Sequence, residues 1–326
     1  MDDNIINQEV NSTSVVNEDN LFELVENNLN DSEKIDAPAY SYWRSVIKSF
    51  FRNPGNIICI SLFLIVVLLA YIQPAISGYT RFENIEATAD QFIKPFVTKD
   101  GVFYIFGTDK FSDDLWDFSW KGTQFSLNIA FLATIIDMTL GIIVGALWGY
   151  SKFFDKIFTE LYNIIANVPS LVVTIIILYS LGTTFWNMII AMTCTAWLGI
   201  GYSFRTQVII IRDRDYNLAS RCLGTGTFRM ITHNILPFLV SIIVTYVSNY
   251  LPSFIGYEVF LSFIGIGFTK EIPSLGSAID VGKEFMLLPD KAHVFWIPVA
   301  ISAIVTITLY VAGQGLADAS DPRNHR

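Results

Sequence analysis

Charge is what this sequence lacks most. Only 16% of its 326 residues are Asp, Glu, Lys or Arg, where a soluble domain carries about a quarter. Residues 161–204 contain no charged side chain, and neither do residues 234–257. A chain this poor in charge is not an ordinary soluble domain, and no nucleic-acid partner is expected. Histidine and cysteine are scarce too. The three histidines, His233, His293 and His325, are too scattered for a metal site or a catalytic triad. Cys59, Cys194 and Cys222 suggest neither a disulfide framework nor metal spacing. No phosphate loop is present: GTGTFRM at 224–230 has glycines but no Gly-Lys-Ser/Thr, and no strand precedes it. The chain is therefore expected to be no enzyme and to bind no cofactor. Any ATP used on its behalf is hydrolysed by another chain. No cleavable signal peptide is expected, because the amino terminus is acidic rather than basic and apolar.

The net charge of −9 is confined to one end. Residues 1–40 hold ten acids and one lysine, and the rest is balanced. Residues 1–38 read as a disordered, solvated tail. In the stretch at 39–54, Trp43, Val46, Ile47 and Phe50 recur at helical spacing, and Arg44, Lys48 and Arg52 fall every fourth residue on another face. This pattern fits an amphipathic helix in the lipid headgroup layer. The other reading is a cytoplasmic extension of the first span, against which Pro54 and Gly55 argue.

What the chain has in abundance is long apolar runs. About 20 apolar residues in a helix cross a hydrocarbon core of roughly 30 Å. The runs predict an all-α integral membrane protein with six transmembrane helices, at about 56–76, 124–149, 158–180, 184–204, 236–257 and 294–315. The runs are too long for a β-barrel and do not alternate. Residues 77–121 and 258–293 form loops on one side. The basic residues collect on the other: Lys152 and Lys156, then Arg205, Arg212, Arg214, Arg221 and Arg229, then Arg323 and Arg326. That side is the cytoplasm, with both termini.

Inside the spans polar groups are few. Asp137 is the one acid, costly unless it faces protein or a water-filled path. It either lines a translocation path or hydrogen-bonds a neighbouring helix. Asn163, Asn167 and Asn249 pose the same choice. Gly141, Gly145 and Gly149 form a stripe for close helix packing, within this chain or with a partner.

The loop at 205–235 is the most telling segment. Leu218, Ala219, Arg221, Cys222 and Leu223 favour a short helix that Gly224 can end. A helix on the cytoplasmic face of a multispan protein is a docking element for something soluble. The segment resembles the coupling loop of the permeases of binding-protein-dependent ABC importers, whose pattern is Glu-Ala-Ala, three residues, Gly, nine residues, Ile-x-Leu-Pro. Ala219, Gly224, Leu236 and Pro237 match it, while Leu218, Ser220 and Asn234 depart from it. Further motifs resemble the oligopeptide branch: GTDKFSDDLWDFSWKGTQFSL from Gly107, EVFLSFIGIG at 258–267, IPSLGSAI from Ile272 with Leu275 in place of Trp, and GQGLADASDPR at 313–323. Together they cover about 40–326 and identify the second permease of the oligopeptide/dipeptide importers (the OppC, DppC and AmiD type).

The resemblance implies a type I importer permease fold over 55–326, in a bacterial plasma membrane. It implies as partners a homologous permease, two cytoplasmic ATPases and an extracellular peptide-binding lipoprotein, with peptide as cargo; nickel or another small ligand stays open. It assigns ATPase coupling to Tyr216, Asn217, Leu218, Ala219, Ser220, Arg221, Leu223 and Gly224. Asp137 and Asn249 are the candidates for the translocation path. An ATP-independent secondary transporter or channel is the alternative, and it would show several intramembrane carboxylates and an inverted repeat. A membrane scaffold without transport would leave the long basic loop unexplained.

Overall fold

The computed structural model describes residues 41–79 and 90–321. The expected tail at 1–38 lies outside them, as do Arg323, His325 and Arg326. Residues 42–321 belong to one compact, mainly helical unit.

Helix α1 (Tyr42–Phe50) buries Val46 and Phe50 against Ala319 and exposes Trp43 and Ile47, with Phe51 exposed just after it. The Tyr42 hydroxyl donates to the Ser320 carbonyl at 2.8 Å. Asn53 then caps α2 (Pro54–Ser77), accepting from the Gly55 N–H at 2.9 Å, with Pro54 at the first helical position. Gly78 ends α2 at φ +62°.

The segment before α3 carries a two-stranded hairpin, β1 (Val97–Lys99) with β2 (Val102–Tyr104). Its two-residue turn places Asp100 and Gly101 at positive φ, as a type I′ turn requires.

Helix α3 (Leu115–Tyr150) is capped by Asp114, which accepts from the Trp116 N–H at 2.8 Å. It starts nine residues before the expected 124. Asp117 and Lys121 interrupt the apolar run, yet Leu115, Phe118 and Trp120 on the same turns are buried. Tertiary packing continues the helix where hydropathy stops. At 36 residues it is about 54 Å long.

The expected single span at 158–180 is two helices, α4 (Lys152–Ile165) and α5 (Ser170–Leu181), bent by 79°. Pro169 accounts for the break. It has no N–H to donate, and it steers Val168 away from helical geometry.

Helix α6 (Phe185–Arg212) lies along α3. A Cβ on Gly145 would stand 2.6 Å from the Phe204 Cβ, and one on Gly149 2.7 Å from the Arg205 carbonyl. The glycine stripe therefore serves packing inside this chain.

Next come α7 (Asp215–Cys222) and α8 (Thr227–Arg229). A π-helical turn (Met230–Ile235) and a 3₁₀ turn (Leu236–Leu239) lead into α9 (Val240–Phe263). Helix α9 runs past the expected end at 257. Short α10 (Leu275–Gly282) opens with a Ser274/Ser277 capping box, and α11 (His293–Ser320) closes the unit, longer than expected at its carboxyl end.

Among the described residues four helical runs are long and apolar enough to cross a membrane: Pro54–Ser77, Leu115–Tyr150, Thr227–Phe263 and His293–Ser320. The bent α4–α5 pair makes a fifth if taken as one span. Helix α6, expected at 184–204 as a sixth, is long enough at 28 residues but less apolar.

Candidate functional site

Helix α7 is built to be held from one side and read from the other. Asn217 is fully buried. Its amide donates to the Ile211 carbonyl at the end of α6, at 2.8 Å, and its Oδ1 accepts from Asn234 at 3.2 Å. The Asn234 amide also lies 3.4 Å from the Ser220 hydroxyl. Arg221 lies over the Tyr150 ring at the end of α3, 5.9 Å from its centroid. These contacts fix α7 to the ends of α6 and α3 and to the π-helical turn.

The end of α7 follows from Gly224, whose φ is +82°. The Thr225 N–H reaches the Ser220 carbonyl at 3.1 Å and the Gly224 N–H reaches that of Arg221 at 3.0 Å, a Schellman closure that satisfies the last carbonyls. A Cβ at Gly224 would meet nothing within 4 Å, so the glycine is required by its backbone conformation and not by space.

On the outer side of α7, Tyr216, Leu218 and Ala219 are exposed. Leu223 is 87% exposed and Phe228, just beyond, 80%. An exposed apolar cluster on a short helix between two membrane-length elements has the makings of a protein contact. The sequence-based selection thus divides. Tyr216, Leu218, Ala219, Arg221, Leu223 and Gly224 are at the surface, Ser220 is half-buried and Asn217 is internal. Phe228 was missed because it lies beyond the glycine. Its exposure on an aromatic side chain is the signal that finds it.

A cavity of about 520 Å³ opens at the α4–α5 break. Tyr162 and Pro169 from the break line it, with Thr195 of α6 and Tyr250, Ser253 and Tyr257 of α9. The Tyr257 hydroxyl donates to Thr174 of α5 at 3.1 Å. The lining carries hydroxyls and aromatic rings and no charged side chain. A discontinuous helix beside a cavity is a usual way for a membrane protein to place polar groups at depth, here a few hydroxyls in a mainly apolar wall. Asp155 of α4 pairs with Arg205 of α6 at 2.5 Å. Helix α4 is thereby tied to the carboxyl-terminal part of α6, the end from which α7 follows.

The two expected path residues sit elsewhere. Asp137 is wholly buried in α3, and its two carboxyl oxygens have no hydrogen-bond partner among the described residues. The Asn249 Oδ1 accepts from Gln314 of α11 at 2.5 Å, a helix-to-helix contact. Asn163 and Asn167 lie at the break, where the Asn167 amide donates to the Asn163 carbonyl.

A second acid inside a helix was hidden by the early end expected for the fifth span. Glu258 of α9 is fully buried. Ser126 of α3 donates to one oxygen at 2.9 Å and Ser274 to the other at 2.7 Å. Both serines accept backbone N–H groups, from Leu275 and Ser277, so their own protons are free for Glu258. Gly122 approaches Ser274 so closely that a Cβ there would lie 2.9 Å from the Ser274 carbonyl carbon. Three motifs distant in sequence meet at this carboxylate and fasten α10 to α3 and α9.

Comparison with known proteins fits this architecture. Residues 138–326 match the model of the binding-protein-dependent transport system inner membrane component. Residues 41–95 match the N-terminal transmembrane domain of oligopeptide transport permease C. The chain is 42% identical over 308 residues to the oligopeptide transport system permease protein AmiD of Streptococcus pneumoniae, covering 94% of this chain and 97% of that one. It is 30% identical over 308 residues to the oligopeptide permease OppC of Bacillus subtilis, covering 93% and 97%. It is 29% identical over 318 residues to the dipeptide permease DppC of the same organism, covering 94% of each. With its apolar spans, its short apolar helix between them and these matches, the chain belongs to the inner membrane components of binding-protein-dependent transport systems, a multi-pass transport component of the oligopeptide permease type and not itself an enzyme.

Proposed function

We propose that this chain is the second permease of an ATP-driven oligopeptide importer. It forms the translocation path with a homologous permease, and two cytoplasmic ATPases act on the pair. An extracellular peptide-binding lipoprotein delivers the cargo. The observation that carries this reading is α7, a capped helix anchored through Asn217 with Leu218, Leu223 and Phe228 exposed. Those side chains fit a groove on an ATPase.

The mechanism is alternating access. ATP binding closes the ATPases and moves α7. Asn217 passes the motion to the end of α6, and the Arg205–Asp155 pair passes it on to α4. The break at Pro169 lets α4 and α5 move separately, so the cavity beside it can open to one side and then the other. Nucleotide shifts this equilibrium only by its difference in affinity for the two states. The uncharged lining suits a cargo of varied sequence, since tyrosine and serine hydroxyls can meet any peptide backbone. Asp137 and Asn249 act from behind this wall. Six passes, α2, α3, α4–α5, α6, α8–α9 and α11, put both termini in the cytoplasm of a bacterial plasma membrane.

Ala219→Glu and Gly224→Asp test the assignment. Ala219 is exposed, and the Gly224 change costs only the positive φ, about 1 kcal/mol. Both variants should insert normally, lose peptide uptake and recover the ATPases weakly on purification. An ATP-independent channel or ion-coupled transporter would tolerate them. Normal uptake and normal ATPase recovery in both would refute the reading.

A further inference from the structure

We infer that the corner between α1, α2 and α11 is a binding site for a phospholipid of the surrounding bilayer, with one acyl chain in an apolar slot and the phosphate at Arg52. The inference rests on membrane embedding alone and not on peptide import.

The slot has a volume of about 300 Å³ and is walled by Ile60 and Phe63 of α2, Leu251 of α9, and Leu309, Ala312 and Leu316 of α11. Leu309 to Leu316 is two turns, about 10 Å of helix axis. Apart from Ser248 its walls are apolar, the surface a hydrocarbon chain requires.

Beyond one end of the slot the chemistry changes. A second depression, of about 260 Å³, is lined by Ser49, Arg52, Asn53, Asn56 and Asp318. The two lie on successive turns of the same elements. Ile60 follows Asn56 by one turn of α2, and Leu316 precedes Ala319 by one turn of α11. Arg52 is exposed and its guanidinium has no partner among the described residues. Its five donors suit a phosphate. Ser49 and Asn53 line the same depression, and Asn56 at its floor donates its amide to the Phe50 carbonyl at 3.3 Å. The lipid would approach along α1 and the turn after it, which expose Trp43, Ile47 and Phe51 beside Arg44, Lys48 and Arg52. Apolar and basic stripes side by side place that helix at a bilayer surface.

The test is phospholipid retention by the detergent-purified importer complex carrying this chain, read by native mass spectrometry after delipidation and titration with phosphatidylglycerol. The unaltered complex should hold one phospholipid that resists delipidation. Arg52→Gln should weaken retention about tenfold, as expected for one charge-assisted hydrogen bond. Leu316→Trp, which fills the mouth of the slot from an exposed position, should also weaken it, whereas Arg44→Gln should not. A phosphate-free galactolipid should be retained poorly. Equal retention by the unaltered complex, Arg52→Gln and Leu316→Trp would overturn the site. Retention of the galactolipid as well as phosphatidylglycerol would overturn the phosphate assignment. Efficient cross-linking of Leu316→Cys to the other permease would show that protein fills the slot.

Discussion

Replacing Asn217 by Ala isolates what holds α7 in place. The side chain makes two hydrogen bonds, one to the Ile211 carbonyl and one from Asn234, and it is fully buried. Its loss leaves the carbonyl and the Asn234 amide without that partner. A buried unsatisfied group costs about 1–3 kcal/mol and a lost ordinary hydrogen bond about 1 kcal/mol, so the sum is roughly 2–4 kcal/mol. An eight-residue helix has almost no stability of its own, and Asn217 is its only buried residue. The cost should therefore fall on docking of α7 and not on the membrane core. At about 1.4 kcal/mol per factor of ten, the undocked population should rise roughly 30- to 1,000-fold. Hydrogen exchange over residues 213–226 should accelerate by that factor, with the α3–α6 core unchanged. Uptake should fall in parallel, because an undocked α7 transmits nothing. If exchange in this segment stayed within about threefold of the parent, the anchoring argument would be wrong.

The remaining predictions concern the core and the outer cap. Gly145→Leu forces a side chain onto Phe204 and the Gly201 carbonyl, both 2.6 Å from its Cβ, and should abolish accumulation of folded chain on immunoblots. Gly199→Ala, with open space around its Cβ, should accumulate normally. Burial pushes the Asp114 carboxyl up to about 6, with the Asp117 and Asp113 charges adding and the Trp116 N–H opposing. A carboxyl whose pKa rises on folding favours the folded state as pH falls. The segment ahead of α3 should therefore be more protected from exchange at pH 4.5 than at pH 7, and Asp114→Asn should flatten that slope. Asp137→Asn should assemble normally, since the amide keeps the shape without the charge. Asp137→Leu should reduce either folded yield or uptake; silence in both assays would remove its interior role.

The fold was legible where composition alone decides it. Uncharged runs located α2, α9 and α11, and a glycine after a short helix-favouring stretch located the end of α7. Legibility failed where tertiary contacts override local pattern. The first turns of α3 carry Asp117 and Lys121 yet stay helical, because Leu115 and Phe118 find a buried surface. The last turns of α9 looked like loop because Glu258 looked like an exposed charge; its serine partners come from residues 126 and 274, and no local window contains them. The α4–α5 break was readable in Pro169 but masked by the apolar residues on both sides. At α7 the departures from the family pattern explain one another. Ser220 and Asn234 each replace an apolar residue of that pattern, and they stand 3.4 Å apart. One polar substitution accommodates the other, and Asn217 joins them. Sequence could mark each departure singly but not that they are neighbours.

The length of α3 has a mechanical consequence. Most of its 36 residues lie in one unbroken helix, while the neighbouring α4–α5 pair is hinged. A stiff rod about 54 Å long works as a lever. A tilt of about 5° at its carboxyl end would swing its amino end sideways by about 5 Å. That end carries Ser126 and the turns that grip α10 through Glu258. Helix α10 would then travel with α3 as cargo on the arm, so a small stroke at one end becomes a displacement the width of an amino-acid side chain at the other.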